Sequence, residues 1–126
     1  MRVIGAIATW LGGLGFLGFA VAFLIAPDAT LASAGMAMTG PGASAELRAF
    51  YGGAELALGG LIVAWALRPA RRRDALLLTF VAYAAIGACR ALGMALSGTT
   101  TSFLTFALAT ETTLALLSGF ALWAKR

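Results

Sequence analysis

Histidine is absent from this chain of 126 residues, and cysteine occurs once, as Cys89. Those shortages exclude a histidine metal site, a catalytic triad with an imidazole base and an internal disulfide. Charge is scarce too: 11% of residues are charged, where soluble domains carry about 25%. Only 3 prolines accompany 16 glycines, a mixture suited to close helix packing in lipid rather than to loops or disorder. No nucleophile, base and orienting group occur together, so no enzyme activity is expected. Neither a cofactor nor a metal is called for by the residues present.

What fills the chain is apolar, at 61% of residues. Four segments, at residues 3–26, 46–67, 75–96 and 103–124, each have about the 20 residues needed to cross ~30 Å of hydrocarbon. The expected fold is therefore all-α, an integral membrane four-helix bundle forming a single domain over residues 1–126. Pro27 ends the first span, and Asp28 can cap a short interfacial segment, Ala29 to Met38, before the breaker Gly40, Pro41, Gly42. Ser44 is the expected N-cap of the second span, with Glu46 in its first turn. Arg68, Pro69 and Arg71 to Asp74 read as a tight basic turn, and Ser97 to Ser102 as a polar turn able to cap the fourth span.

The net charge of +4 does not point to nucleic acid, because no basic stretch interleaved with aromatics exists. The basic residues instead flank the spans. Arg68, Arg71, Arg72 and Arg73 join spans two and three, Arg2, Lys125 and Arg126 lie in the tails, and the other connections hold no Lys or Arg. Both termini are thus expected on the cytoplasmic side. Trp65 and Trp123 sit where interfacial aromatics belong, and Arg71, Arg72 and Arg73 face anionic headgroups. Ala32, Ser33, Ala34 has the small-x-small pattern of a signal-peptidase site, but the apolar run before it exceeds the roughly 7 to 15 residues of a signal core. Spans two and four form a weak repeat, Glu55, Trp65 and Arg68 against Glu111, Trp123 and Lys125. The glycine run Gly13 to Gly18 resembles a phosphate loop only in spelling, since no strand precedes it.

Arg48, Glu55, Arg90 and Glu111 lie within the apolar spans and sum to zero charge. Each costs roughly 2.5 to 3.5 kcal/mol near a helix centre, so the fold must pair or hydrate them. Counted from the outer helix ends at ~1.5 Å per residue, Arg48 lies ~3 Å deep, Arg90 ~9 Å, Glu111 ~12 Å and Glu55 ~14 Å. A Glu55, Arg90, Glu111 cluster in the outer half follows, with Arg48 near its mouth. Regular helical spacing puts Arg48, Tyr51, Glu55 and Gly59 on one stripe, and Tyr83, Gly87, Arg90 and Gly93 or Met94 on another. Glu111 shares a face with Ala107, Ala115 and Ser118, and Thr110, Thr112 and Thr113 beside it are expected as further donors. Cys89, about 100° round the helix from Arg90, reads as a small apolar filler.

The run Arg48, Ala49, Phe50, Tyr51, Gly52, Gly53, Ala54, Glu55, followed by Leu58 and Gly59, resembles the signature of the bacterial four-helix membrane family known as domain of unknown function DUF4345. Gly87, Arg90, Gly93, Gly98 and Glu111 extend the likeness along the whole chain. The resemblance implies the architecture and the importance of Arg48, Glu55, Arg90 and Glu111, and supplies no reaction. In architecture alone the chain is also broadly similar to DoxX-like proteins.

Three functions fit these residues. In the first, Arg48, Tyr51, Glu55, Tyr83, Arg90 and Glu111 form a polar pocket that binds a small amphiphile, such as a quinone, lipid or sterol-like molecule. In the second, a Glu carries protons or ions in a homo-oligomer, because a four-helix bundle is too narrow for a pore. In the third, the cluster is a register device in an assembly or scaffold subunit.

Overall fold

The computed structural model describes residues 2–124, so the expected roles of Lys125 and Arg126 lie outside the described residues. Helix α1 spans Arg2–Ile25, α2 Pro27–Ser33, α3 Ala43–Leu47, α4 Glu55–Ala66, α5 Arg72–Ser97 and α6 Ser102–Trp123. A π-helical turn, Arg48–Ala54, joins α3 to α4, so that Ala43–Ala66 runs as one span. Together with α1, α5 and α6 it makes four helices long and apolar enough to cross a membrane. The chain is a multi-pass membrane protein.

The boundaries have local causes. Pro27 lacks an N–H and so cannot extend α1, but its fixed φ suits the first position of α2, where it stands. Gly98, at φ 64°, takes the left-handed conformation that closes α5. Thr101 caps α6, its Oγ1 accepting from the Leu104 N–H at 3.2 Å.

Three expectations at the ends need correction. Ser44 is not an N-cap, because α3 starts one residue earlier with Gly42 as its cap. The Ser44 hydroxyl instead donates to Asp28 Oδ2 at 2.7 Å, tying α3 to α2. Asp28 itself lies in the first turn of α2, after its N-cap Ala26. Finally, the basic turn is shorter than expected. Arg72, Arg73 and Asp74 already belong to α5, and Pro69–Arg71 forms a single 3-10 turn. Asp74 at the α5 N-terminus favours the helix dipole and pairs with Arg71 at 3.0 Å.

The four spans form a ring in which α1 packs against the second span and α6, and α5 packs against α4 and α6. The α1 and α5 helices also meet across the middle, which makes them the short diagonal. The core lies there: Phe16, Ile62, Tyr83, Leu114 and Ala115 form one buried cluster, and Tyr83 Oη donates to the Gly12 carbonyl at 2.9 Å. A smaller cluster of Phe23, Leu31 and Leu47 sits where α2 and α3 fold over the end of α1.

Lipid tails remove the hydrophobic drive between helices, so association rests on close van der Waals contact. The second span achieves this against α1. A Cβ on Gly59 would lie 2.8 Å from the Gly13 carbonyl oxygen and 2.9 Å from the Leu17 backbone nitrogen. Only glycine fits at that distance.

Candidate functional site

The π-helical turn coincides with the run from Arg48 to Ala54, and it changes which side chains face inward. On the second span Ala43, Leu47, Gly52, Gly59, Ile62 and Ala66 are buried. Between Leu47 and Gly52 the step is five residues instead of three or four, the signature of one i→i+5 turn. The stripe expected from regular spacing is therefore broken. Tyr51 is 48% exposed, its ring stacked on Phe23 at 4.8 Å between centroids, while Gly52 takes the inward position against Leu24.

Arg48 likewise turns away from the carboxylates. Its Nε donates to the Leu24 carbonyl at 3.1 Å, one of the acceptors at the C-terminus of α1 that no helical N–H satisfies. A cation there also complements the negative end of the helix dipole. Arg48 thus fastens the π-helical turn to α1.

Arg90 and Glu111 meet as a fork. Arg90 Nε lies 2.9 Å from Glu111 Oε1 and 2.8 Å from Oε2, and Nη2 lies 2.6 Å from Oε1. The side chains are 24% and 9% exposed, so the pair is largely withdrawn from solvent and each charge is matched by a directed partner. Gly87, one turn below Arg90, packs against Glu111, where an added Cβ would meet the Glu111 Cβ in ordinary contact at 3.4 Å.

Glu55 stands apart from this fork. It starts α4, which with α6 occupies the long diagonal of the ring. Glu55 forms no ion pair within contact distance among the described residues. Its Oε2 is sealed from solvent and accepts no hydrogen bond among the described residues. Buried carboxylate oxygens are ordinarily satisfied, so this atom calls for an explanation. Ser118 Oγ, two turns below Glu111, is also buried without a partner.

Above Glu55 the second span leans on α1, and its contact with α5 is made chiefly through α4. A groove of about 560 Å³ opens at that parting. Tyr51 forms one wall; Ile86, Cys89, Arg90, Gly93 and Ser97 of α5 form the other, with Leu104 of α6 closing its end. It faces the side of the bundle, where acyl chains would lie.

Of the six residues expected to form the site, Arg90 and Glu111 are joined, Glu55 forms no ion pair with Arg90, Tyr51 lines the groove, Arg48 is engaged at α1, and Tyr83 is bonded to Gly12. The threonines expected beside Glu111 do not serve it. Thr110 Oγ1 and Thr113 Oγ1 donate to their own helix, at Phe106 and Ala109, and Thr112 is exposed. Cys89 is no buried filler; it is exposed and lines the groove. Ile86, Met94 and Ser97 were readable as groove residues, since they flank Arg90 at helical spacing on one face of α5.

A model of the family described as domain of unknown function (DUF4345) matches residues 4–122 of the chain. No curated protein and no solved structure matches it, so the broader DoxX-like likeness has no comparison behind it.

Proposed function

The chain belongs to the family of the domain of unknown function (DUF4345), and from that premise we propose that it binds the polar head of a small amphiphile in the lateral groove beside Arg90. Quinones, lipids and sterol-like molecules are the classes whose shape suits such a site. The observation that carries the reading is the half-buried guanidinium of Arg90 in the wall of a groove that opens on the side of the bundle. A headgroup would meet polar atoms at depth while its chain stayed among apolar side chains.

We place the protein in the bacterial cytoplasmic membrane with both ends of the bundle's chain on the cytoplasmic side, from the arginine-rich turn between α4 and α5. Arg71 lies over the Trp65 ring at 5.9 Å, an arrangement suited to the headgroup region, where Arg71, Arg72 and Arg73 would meet anionic lipid. Labelling of single cysteines introduced at Ala70 and Thr100 in a Cys89→Ala background, with an impermeant maleimide on intact cells, tests the orientation. Only the Thr100 site should react.

The groove reading is tested by elongated density beside Arg90 in a map of the protein held in native lipid. An empty, collapsed groove would remove it. A second reading, in which the ion pair only fixes register in a scaffold subunit, draws on the closed fork between Arg90 and Glu111. It expects apolar replacement of Arg90 and both Glu residues together to leave folding and any bound lipid unchanged. Transport through one copy draws no support, since Ile62, Thr79 and Ser118 fill the bundle below the cluster.

A further inference from the structure

We infer that the groove selects amphiphiles whose head is neutral and accepts hydrogen bonds, the class of esters, ketones and quinones, over anionic, cationic and purely hydrocarbon molecules of equal chain length. This deepens the groove reading above and rests on it. The argument starts from what the walls contain. Among the described residues that line the groove, Arg90 is the only charged one, and no carboxylate or amide side chain stands with it. A guanidinium has five N–H donors and no acceptor. Tyr51 and Ser97 add hydroxyls, but Ser97 Oγ is already engaged, donating to the Met94 carbonyl at 3.4 Å and accepting from the Thr99 N–H at 3.2 Å. The strongest polar feature on offer is therefore a set of donors, and it calls for an acceptor.

The geometry leaves one edge of the guanidinium for that head. The fork to Glu111 is made with Nε and Nη2, at 2.6 to 2.9 Å, and leaves Nη1 outside it. Arg90 is the more exposed partner, at 24% against 9%, and it is Arg90, not Glu111, that reaches the groove wall. Gly93, one turn on, has nothing within 4 Å of where a Cβ would stand, so no side chain there covers the approach. Charge decides the rest. The fork already matches the guanidinium charge, so a neutral carbonyl gains a charge-assisted hydrogen bond and leaves the pair balanced. A phosphate head would leave one net negative charge two turns inside the C-terminal end of α5, beside apolar side chains, where uncompensated charge is costly. A cationic head would meet Arg90 as a like charge. The groove, of about 560 Å³, falls in the size range of small-molecule sites and offers Ile86, Met94 and Leu104 to the chain.

Cys89 provides the readout, because it is the only cysteine of the chain and lines the groove. The protein in zwitterionic nanodiscs is alkylated with a membrane-permeant maleimide in the presence of methyl laurate, tetradecane, dodecyl phosphate or dodecyltrimethylammonium, each dosed per lipid. The same series is run on Arg90→Met combined with Glu111→Leu, which removes the donors without stranding an acid. Comparing, for each probe, the content that halves the rate in the two proteins cancels its partition into the bilayer. Methyl laurate should need about tenfold more in the double variant, a difference of ~1.4 kcal/mol, while the other three should shift far less. In the unaltered protein methyl laurate should also protect at the lowest content of the four, a ranking that stands whether or not the double variant folds. Equal or stronger protection by dodecyl phosphate, or no shift for methyl laurate, overturns the head-group inference while leaving the groove reading intact. Alkylation of the unaltered protein indifferent to every probe overturns both.

Discussion

The second span treats its two neighbours in opposite ways. Toward α1 it closes until only glycine fits, with Gly59 against the Gly13 backbone and Gly52 against Leu24. Toward α5 it makes contact chiefly through α4 and parts above Glu55 to leave the groove. The difference teaches that the glycines and arginine of the run from Arg48 to Gly59 act mainly on the α1 side. They lean the span on α1, and the leaning opens the opposite side. Conserving volume on one face and vacating it on the other is a single mechanical consequence of where the small residues stand.

The largest effect should come from the polar side of this comparison. Replacing Arg90 with Met strands Glu111, which is 9% exposed, and leaving one member of a buried pair alone costs about 3–5 kcal/mol. The thermal midpoint in detergent should fall accordingly, and Arg90→Met combined with Glu111→Leu should regain most of the loss. A cost under about 1 kcal/mol, the range of solvated pairs, would mean that water fills the groove and that the fork is not dry.

On the α1 side, Gly59→Ala places a Cβ 2.8 Å from a backbone oxygen that cannot move aside, and overpacking of this kind costs about 1–3 kcal/mol. Its neighbour Gly60 has nothing within 4 Å of an added Cβ, so Gly60→Ala should stay within about 0.5 kcal/mol. Parallel melts of the two variants check the contrast. Equal melting would show that the span is not seated on α1 as described.

How much of this was legible beforehand follows from which forces act locally. Span number and position came from apolar length, a property each segment carries by itself, and Pro27, Gly98 and Thr101 bound their helices through their own chemistry. The pairing of Arg90 with Glu111 was legible because hydrocarbon leaves charges at similar depth little else to do. The π-helical turn was not, since regular spacing assumes 3.6 residues per turn and no residue between Arg48 and Ala54 announces a wider one. Missing it put Arg48, Tyr51 and Glu55 on one continuous stripe with Arg48 at the mouth of the cluster, where the structure has Tyr51 lining the groove and gives Arg48 to Leu24. The partnerless oxygen of Glu55 was equally hidden, because it depends on which of two acids reaches Arg90 with better geometry.

Across the short diagonal the expected effect is smaller. Tyr83→Phe removes one interhelical bond, from Tyr83 Oη to the Gly12 carbonyl, and such bonds average about 0.6 kcal/mol in membrane bundles. A slight drop in midpoint should accompany unchanged Cys89 alkylation, because this bond joins α1 to α5 and does not border the groove. A change in alkylation would tie the diagonal to the groove walls.

The smallest effect on stability should come from Gly93→Leu, which acts on the open side alone. Gly93 lines the groove, and an added Cβ there has nothing within 4 Å, so the new side chain enters vacant space and folding should change by less than about 0.5 kcal/mol. Leu is also a better helix former than Gly, by roughly 0.8–1.0 kcal/mol in helix interiors, which offsets any crowding. What should change is occupancy: the isobutyl group takes up groove volume one turn above Cys89, so methyl laurate should no longer slow alkylation. Stable protein in which methyl laurate still protects Cys89 would place the amphiphile elsewhere on the bundle, and the parting of the second span from α5 would then be a packing fault without a role in binding.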